Sequence, residues 1–403
     1  MLDILHSFLS MVWKALRDQP HPKAEFLAQF PESWQPVVSS LLSIVPILMV
    51  FPMLFALTTV LERKGLGRIQ NRPGPNRVGP AGFLQFAADG LKTLTKEDVV
   101  PRAADPIIHF LAPIFLVVPV LLTFSVLPFG RNLVPIDLDS GLLFFFAVGA
   151  STELAVFMAG WSSRNKYSLL GATRAIAQMI SYEIPLILSA LTVVMMVGSM
   201  SLPTIVEAQA GRAGDWIARW HVFTPWGLAG FLLFLVAACA EANRSPFDLP
   251  EGESEIIAGY YLEYSGFKFA LFFLGEYLGL FAASSLGIAL FLGGWSAPLP
   301  VLDTWIPGWV WFLGKLLVLI AVFIWVRGTL PRVRMDQLMN LAWKFMLPLT
   351  LVNLIAAGCW HYLSHPIARW GVTSALIVGA YWAMGRGLMP AKQIGKRVYR
   401  YAG

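Results

Sequence analysis

The chain has 403 residues, 57% of them hydrophobic and only 13% charged, with a mean hydropathy of +0.64. A soluble domain carries about 25% charged residues, so lipid must be the solvent for much of this chain. The net charge of +6 is then explained by membrane orientation and implies no nucleic-acid partner. Cys239 and Cys359 lie far apart in apolar runs and cannot hold a four-cysteine iron–sulfur cluster. No HExxH or CxxC pattern occurs, so no metal site is predicted and any redox centre belongs to another chain.

Residues 1–13 are apolar around Asp3 and His6. They lack a basic start and a small-residue cleavage site, so they are not read as a signal peptide. Residues 1–40 carry Pro20, Pro22, Pro31 and Pro36 among mixed charges and read as an interfacial helix and linker. A span needs about 20 apolar residues. Spans are predicted near 41–61, 107–128, 141–160, 182–200, 225–243, 269–293, 309–327, 346–363 and 370–387, the last punctuated by Gly and Trp. The fold class is therefore an all-α polytopic membrane helix bundle. Most basic residues fall in alternate loops and the tail, which predicts the N-terminus outside and the C-terminus in the cytoplasm.

The first basic loop has internal order. Residues 72–82, RPGPNRVGPAG, make a stiff turn. From Phe83 to Glu97 the pattern turns helical, with Leu84, Ala87, Ala88 and Leu91 on one face and Gln85, Asp89, Lys92 and Lys96 on the other. This predicts an amphipathic surface helix. Gly65-Leu66-Gly67 lacks the third glycine and the preceding strand of a dinucleotide site.

Charges inside spans cost about 2.5–3.5 kcal/mol on insertion scales and are functional candidates. Glu153 and Glu276 are predicted about 10 Å below the cytoplasmic surface. Glu183 is expected to begin the fourth span and Glu241 to end the fifth. Carboxylates gathered in a low-dielectric interior suit a proton relay; the alternative is that each fixes helix packing through a local hydrogen bond. Lys315 could snorkel outward or join a relay. The loop 241–268 carries Glu241, Asp248, Glu251, Glu253, Glu255 and Glu263 against Arg244 and Lys268. It reads as a proton-collecting or coupling loop, a docking face for a basic partner, or a solvated acidic loop.

Five stretches carry a family resemblance. ERKGLGRIQNRPGPNRVGPAGFLQFAADGLKTLTKED at 62–98, GWSSRNKYSLLGATRAIAQMISYE at 160–183, EANRSPFDLPEGESE at 241–255, EYSGFKF at 263–269 and LPRVRMDQLMNLAWKFMLPLTLVN at 330–353 resemble, in order, the H-type membrane subunit family of respiratory complex I. The resemblance covers about 40–363 and divides the chain into an N-terminal extension (1–40), a membrane domain (41–363) and an added span with a basic tail (364–403). It implies eight core spans plus a ninth. Met335 stands where the family commonly has an aromatic residue, usually Tyr.

The resemblance implies a role beneath the redox arm. Proteins of this family line a chamber through which a lipid-soluble quinone, such as ubiquinone, reaches an iron–sulfur cluster held by other subunits. They pass the energy of quinone reduction through acidic residues to proton-pumping neighbours. It implies quinone-chamber positions at Glu62, Arg63, Lys64, Asp89, Lys92, Phe247, Asp248, Arg327, Arg332 and Arg334. It implies proton-coupling positions at Glu153, Glu183, Glu241, Glu251, Glu253, Glu255 and Glu276. No catalytic residue or cofactor is implied in this chain: quinone is the substrate, and iron–sulfur clusters and FMN reside in partner subunits. The implied partners are redox-arm subunits, small membrane subunits and the bilayer. Related components of a membrane-bound hydrogenase or a reduced-deazaflavin dehydrogenase share the architecture. A stand-alone ion transporter is the third class, but no inverted repeat is apparent.

Overall fold

A computed structural model describes residues 2–19, 22–213, 217–249, 257–299, 302 and 305–388. The chain opens with two short helices, α1 (Leu2–Leu16) and α2 (Pro22–Leu27), followed by the long α3 (Gln35–Ile69). Next come α4 (Gln85–Thr95), α5 (Pro106–Thr123), α6 (Gly141–Gly149), α7 (Ser151–Ser162), α8 (Lys166–Val197), α9 (Leu202–Ala208) and α10 (Pro225–Glu241). The second half holds α11 (Gly266–Phe291), α12 (Gly308–Thr329), α13 (Met335–Asn340), α14 (Leu347–Tyr362) and α15 (Pro366–Leu388). A two-residue antiparallel pair, Arg212–Ala213 with Ile217–Ala218, is the only sheet among the described residues.

Local chemistry sets many helix starts. Asp105 accepts from the Ile107 and Ile108 amides, with Pro106 at the first position of α5. Asn165 caps α8 and Thr224 caps α10, each supplying a side-chain oxygen to an amide left open at a helix start. Gly198, at φ 79°, ends α8 in the left-handed conformation that costs glycine little. Between α13 and α14, residues 341–346 widen into a π-helical stretch. Pro348 has no N–H to donate, so the regular ladder cannot run through this point.

Seven helical stretches are long and apolar enough to cross a membrane: Gln35–Ile69, Pro106–Val126, Gly141–Ser162, Lys166–Val197, Gly266–Phe291, Gly308–Thr329 and Met335–Tyr362. The chain is thus a multi-pass membrane protein. They match seven of the nine predicted spans. The fifth is α10, apolar but only 17 residues long. The ninth corresponds to α15, which is 23 residues long and less apolar; it packs along α14 and α10.

Three boundaries differ from expectation. The first span does not close near 61: α3 continues to Ile69, and its 35 residues extend about 52 Å against a hydrocarbon core of about 30 Å. The fourth does not begin near 182, because α8 starts at Lys166 and Glu183 lies in mid-helix. The third breaks at Ala150 into α6 and α7. Hydropathy reports where apolar runs end, whereas a helix can continue through polar residues.

The core centres on α11, where nearly every side chain from Tyr277 to Phe291 is buried. A helix apolar on all sides must be enclosed by others. Small residues permit that enclosure: a Cβ at Gly275 would lie 2.8 Å from Leu116, and one at Gly287 2.9 Å from Phe234. α8 packs on α7, α10 and α14, and α5 on α7 and α11.

At the end of the bundle away from the basic loops, the N-terminal segment is tied down. Asp18 Oδ2 accepts the Gly308 amide at 2.6 Å, capping α12. Trp309 donates to the Leu16 carbonyl at 3.0 Å, and Asn132 to the Gln19 carbonyl at 2.6 Å. Lys315 reaches toward this same end. Its ammonium donates to the carbonyls of Leu292, Gly294 and Ser296 at 2.6–2.8 Å and lies 4.0 Å from the Trp220 ring centre, closing the C-terminal end of α11. Lys315→Met should leave three carbonyls short of a donor and cost about 1–3 kcal/mol. Thermal unfolding of the purified protein checks this; an unchanged midpoint would refute the capping role.

Candidate functional site

The basic end of the bundle brings together residues from α3, α11, α12 and the segment after α10. Glu62 is buried, with 5% of its surface exposed. It takes a salt bridge and hydrogen bond from Arg327 and a hydrogen bond from the Tyr277 hydroxyl. Arg244 Nη1 stands 3.9 Å from the same carboxylate, its guanidinium 3.7 Å from the Tyr277 ring centre. Burial opposes the Arg244 charge, but Tyr277, Glu62 and Glu276 outweigh it and hold the group above its ordinary range. Its Nε and Nη2 are buried without a hydrogen-bond partner among the described residues, so this guanidinium has donors left to offer.

The first basic loop folds back over the end of α3. Arg63 Nη1 pairs with Asp89 Oδ2 at 2.6 Å, Lys92 approaches Asp89 at 3.8 Å, and Gln85 donates to it at 3.2 Å. These contacts pin α4, whose Leu91 and Leu94 face outward, as an amphipathic surface helix requires. Lys64 donates to the Ala81 carbonyl and lies 4.4 Å from the Phe83 ring centre. The loop needs its glycines: Gly82 has φ 76°, and a Cβ there would lie 2.2 Å from the Pro75 carbonyl oxygen. Gly82→Ala should therefore open the loop, adding about 1–2 kcal/mol of backbone strain. Limited proteolysis between residues 70 and 84 would read this as faster cleavage, and unchanged cleavage would count against it.

On the other flank, Arg332 Nη2 binds Asp248 Oδ2 at 3.0 Å. Phe247 is buried and tilts against Tyr182 with ring centres 5.7 Å apart. Gln178 Nε2 donates to the carbonyls of Phe247 and Ala240 at 2.8 and 2.7 Å, fixing this turn to α8. Met335 packs against the main core. Arg334 is exposed at the start of α13 and is not among the contacts of the Glu62 cluster.

A second set of carboxylates lies deeper. The Glu153 and Glu183 carboxyls face each other between α7 and α8. Glu241 is within electrostatic reach of both, and its Oε2 is buried without a hydrogen-bond partner among the described residues. A cavity of about 70 Å³ has Thr152, Glu241, Asn243, Tyr260 and Glu276 on a lining that is otherwise mostly apolar, with room for a few water molecules beside the polar groups. Glu276 accepts the Tyr260 hydroxyl at 2.7 Å. Glu251, Glu253 and Glu255 lie outside the described residues.

Sequence reasoning missed Arg244 and Tyr277. In the sequence Arg244 reads only as an orientation charge. Tyr277 directly follows Glu276, and adjacent helical residues point about 100° apart. One turn of α11 can thus serve both sets, Tyr277 toward Glu62 and Glu276 toward the cavity. That adjacency is the signal the sequence offers.

This arrangement sits on a chain with clear relatives. A family model described as NADH dehydrogenase matches residues 42–358. The chain is 48% identical over 331 residues to the NADH-quinone oxidoreductase H-type subunit of Dehalococcoides mccartyi (strain CBDB1), covering 82% of this chain and 87% of that protein. It is 52% identical over 295 residues to the counterpart from Geobacillus kaustophilus (strain HTA426), covering 73% and 85%. It is 47% identical over 335 residues to that of Rubrobacter xylanophilus (strain DSM 9941 / JCM 11954 / NBRC 16129 / PRD-1), covering 83% and 98%. With the match spanning most of the chain and the loops that build both carboxylate sets, the chain belongs to the NADH dehydrogenase family, among the H-type membrane subunits of NADH-quinone oxidoreductase.

Proposed function

We propose that this chain forms the membrane side of the quinone chamber of a proton-pumping NADH:quinone oxidoreductase and couples quinone reduction to proton translocation. The observation that carries this reading is the cluster of Glu62, Arg244, Tyr277 and Arg327. It supplies oriented donors, some unused, at the edge of a largely apolar bundle. A quinone needs apolar walls for its isoprenoid tail and a few placed donors for its headgroup carbonyls. Arg63, Lys64, Asp89 and Lys92 border the chamber on one flank, and Phe247, Asp248 and Arg332 on the other. Arg334, being exposed, would act at its rim or on a partner.

The deeper carboxylates supply the coupling path. Glu276, the cavity, Glu241, and the Glu183–Glu153 pair form a row in which a proton can be relocated. Arg244 joins the two sets, since its charge answers to both Glu62 and Glu276. A change of charge at the quinone can thereby be felt by the row. Glu251, Glu253 and Glu255 would feed it from the loop. On this reading quinone is the substrate, while FMN and the iron–sulfur clusters belong to redox-arm subunits. Those subunits, with small membrane subunits, are its partners. The basic loops lie in the cytoplasm of a bacterial plasma membrane and the N-terminus outside.

The test is Arg63→Ala in the assembled complex. Quinone turnover should fall several-fold while NADH oxidation by a water-soluble artificial acceptor stays intact. Unaltered quinone turnover would remove Arg63 from the chamber. Migration of the native chain as a free monomer on blue-native gels would overturn the whole reading.

A further inference from the structure

A second pocket opens where α7 turns into α8, apart from both carboxylate sets. Its volume is about 210 Å³, and Gly160, Trp161, Arg164, Asn165, Lys166 and Leu169 line it. The turn is firmly held. Ser162 accepts the Asp105 amide at 3.0 Å, Asn165 Oδ1 caps α8 through the Tyr167 amide at 3.0 Å, and Asn165 Nδ2 donates to Glu263 at 2.7 Å. Arg164 takes φ 50°, a left-handed conformation uncommon for a residue with a side chain. The rigid turn therefore presents two cations that form no salt bridge among the described residues. Arg164 is exposed, and the Lys166 ammonium lies 5.3 Å from the Tyr167 ring centre.

The surroundings identify the solvent this pocket meets. The α6–α7 stretch is 22 residues long, about 33 Å, which matches the hydrocarbon thickness of about 30 Å. Trp161, at its end, therefore sits at the lipid–water boundary, where aromatic rings with a polar edge concentrate. Below it Leu154 and Phe157 follow at helical spacing, all three exposed, and Phe157 stacks on Trp161 with ring centres 6.0 Å apart. An apolar stripe thus runs from the pocket toward the bilayer midplane, along the line an acyl chain would take. The nearby Glu263 carboxylate is already engaged by Asn165.

We propose that this pocket binds the headgroup phosphate of an anionic phospholipid, with Arg164 and Lys166 as counter-charges and the Trp161–Phe157–Leu154 stripe against its acyl chain. The inference stands independently of the quinone chamber, and neither cation belongs to it.

The experiment uses the assembled complex in phosphatidylcholine nanodiscs containing a photoactivatable phosphatidylglycerol, with labelled residues mapped by mass spectrometry. Labelling should concentrate between residues 154 and 170 and exceed that by a photoactivatable phosphatidylcholine. Near a membrane each cation is worth roughly fivefold in binding, so Arg164→Gln with Lys166→Gln should weaken it roughly 30-fold. Equal labelling by the two lipids in the unaltered protein would overturn the proposal, whatever the fate of the variant. So would full protection by inorganic phosphate, which would mark a soluble-anion site. Labelling confined to a neighbouring polypeptide, with none between residues 154 and 170, would also overturn it, marking a subunit interface.

Discussion

Glu62→Ala should destabilise the protein by about 3–5 kcal/mol, the cost of removing one partner from a buried ion pair. Glu62 is the carboxylate that Arg244 and Arg327 share. Without it two guanidiniums face each other, one nearly enclosed, with a side-chain exposure of 10%. Tyr277 also loses the acceptor of its hydroxyl. The expected readout is a lower unfolding midpoint and reduced recovery of assembled complex. Glu62→Gln keeps the shape and an oxygen for Tyr277, so it should fold better while still lowering quinone turnover. A normal midpoint for Glu62→Ala would mean the cluster holds nothing together.

Glu153→Gln and Glu276→Gln test the deeper row. Glutamine preserves volume and an acceptor oxygen, so Tyr260 can still donate to residue 276 and the bundle should assemble. It cannot carry an exchangeable carboxyl proton. Each change should lower quinone-linked proton pumping at least about tenfold, equivalent to about 1.4 kcal/mol in a rate-limiting barrier. NADH oxidation by a water-soluble acceptor should not change. If pumping and quinone reduction both persist at the original level, that residue is no relay and serves packing instead.

The span positions are legible in the sequence because lipid selects apolar runs, and hydropathy measures that selection directly. The helix ends are less so. Lys166–Glu183 and Glu62–Ile69 are polar enough to resemble loops, yet Asn165 supplies a cap to α8 and both segments are helical. The site follows the same division. Glu62, Arg63, Asp89, Asp248, Arg327 and Arg332 are readable as a set from the family motifs, but their pairing is not. Glu62 and Arg327 are 265 residues apart, and periodicity carries no information at that range. Arg244 is hidden by its own loop, where one basic residue among acids looks like an orientation signal. Depth groups Glu153 with Glu276, whereas Glu153 faces Glu183 on α8 and Glu276 accepts from Tyr260.

The Asp18–Gly308 contact joins residues 290 positions apart, and that separation fixes an order of biogenesis. A ribosome adding roughly 5–20 residues per second exposes Asp18 about 15–60 s before the Gly308 amide can exist. Throughout that interval the start of the chain has no α12 to cap. The latch closes only when α3 and α12 are both inserted with the linked ends on the same side. It is therefore a late contact: the N-terminal segment, already held by Asn132, gains its last tie only after α12 has been threaded into the bilayer.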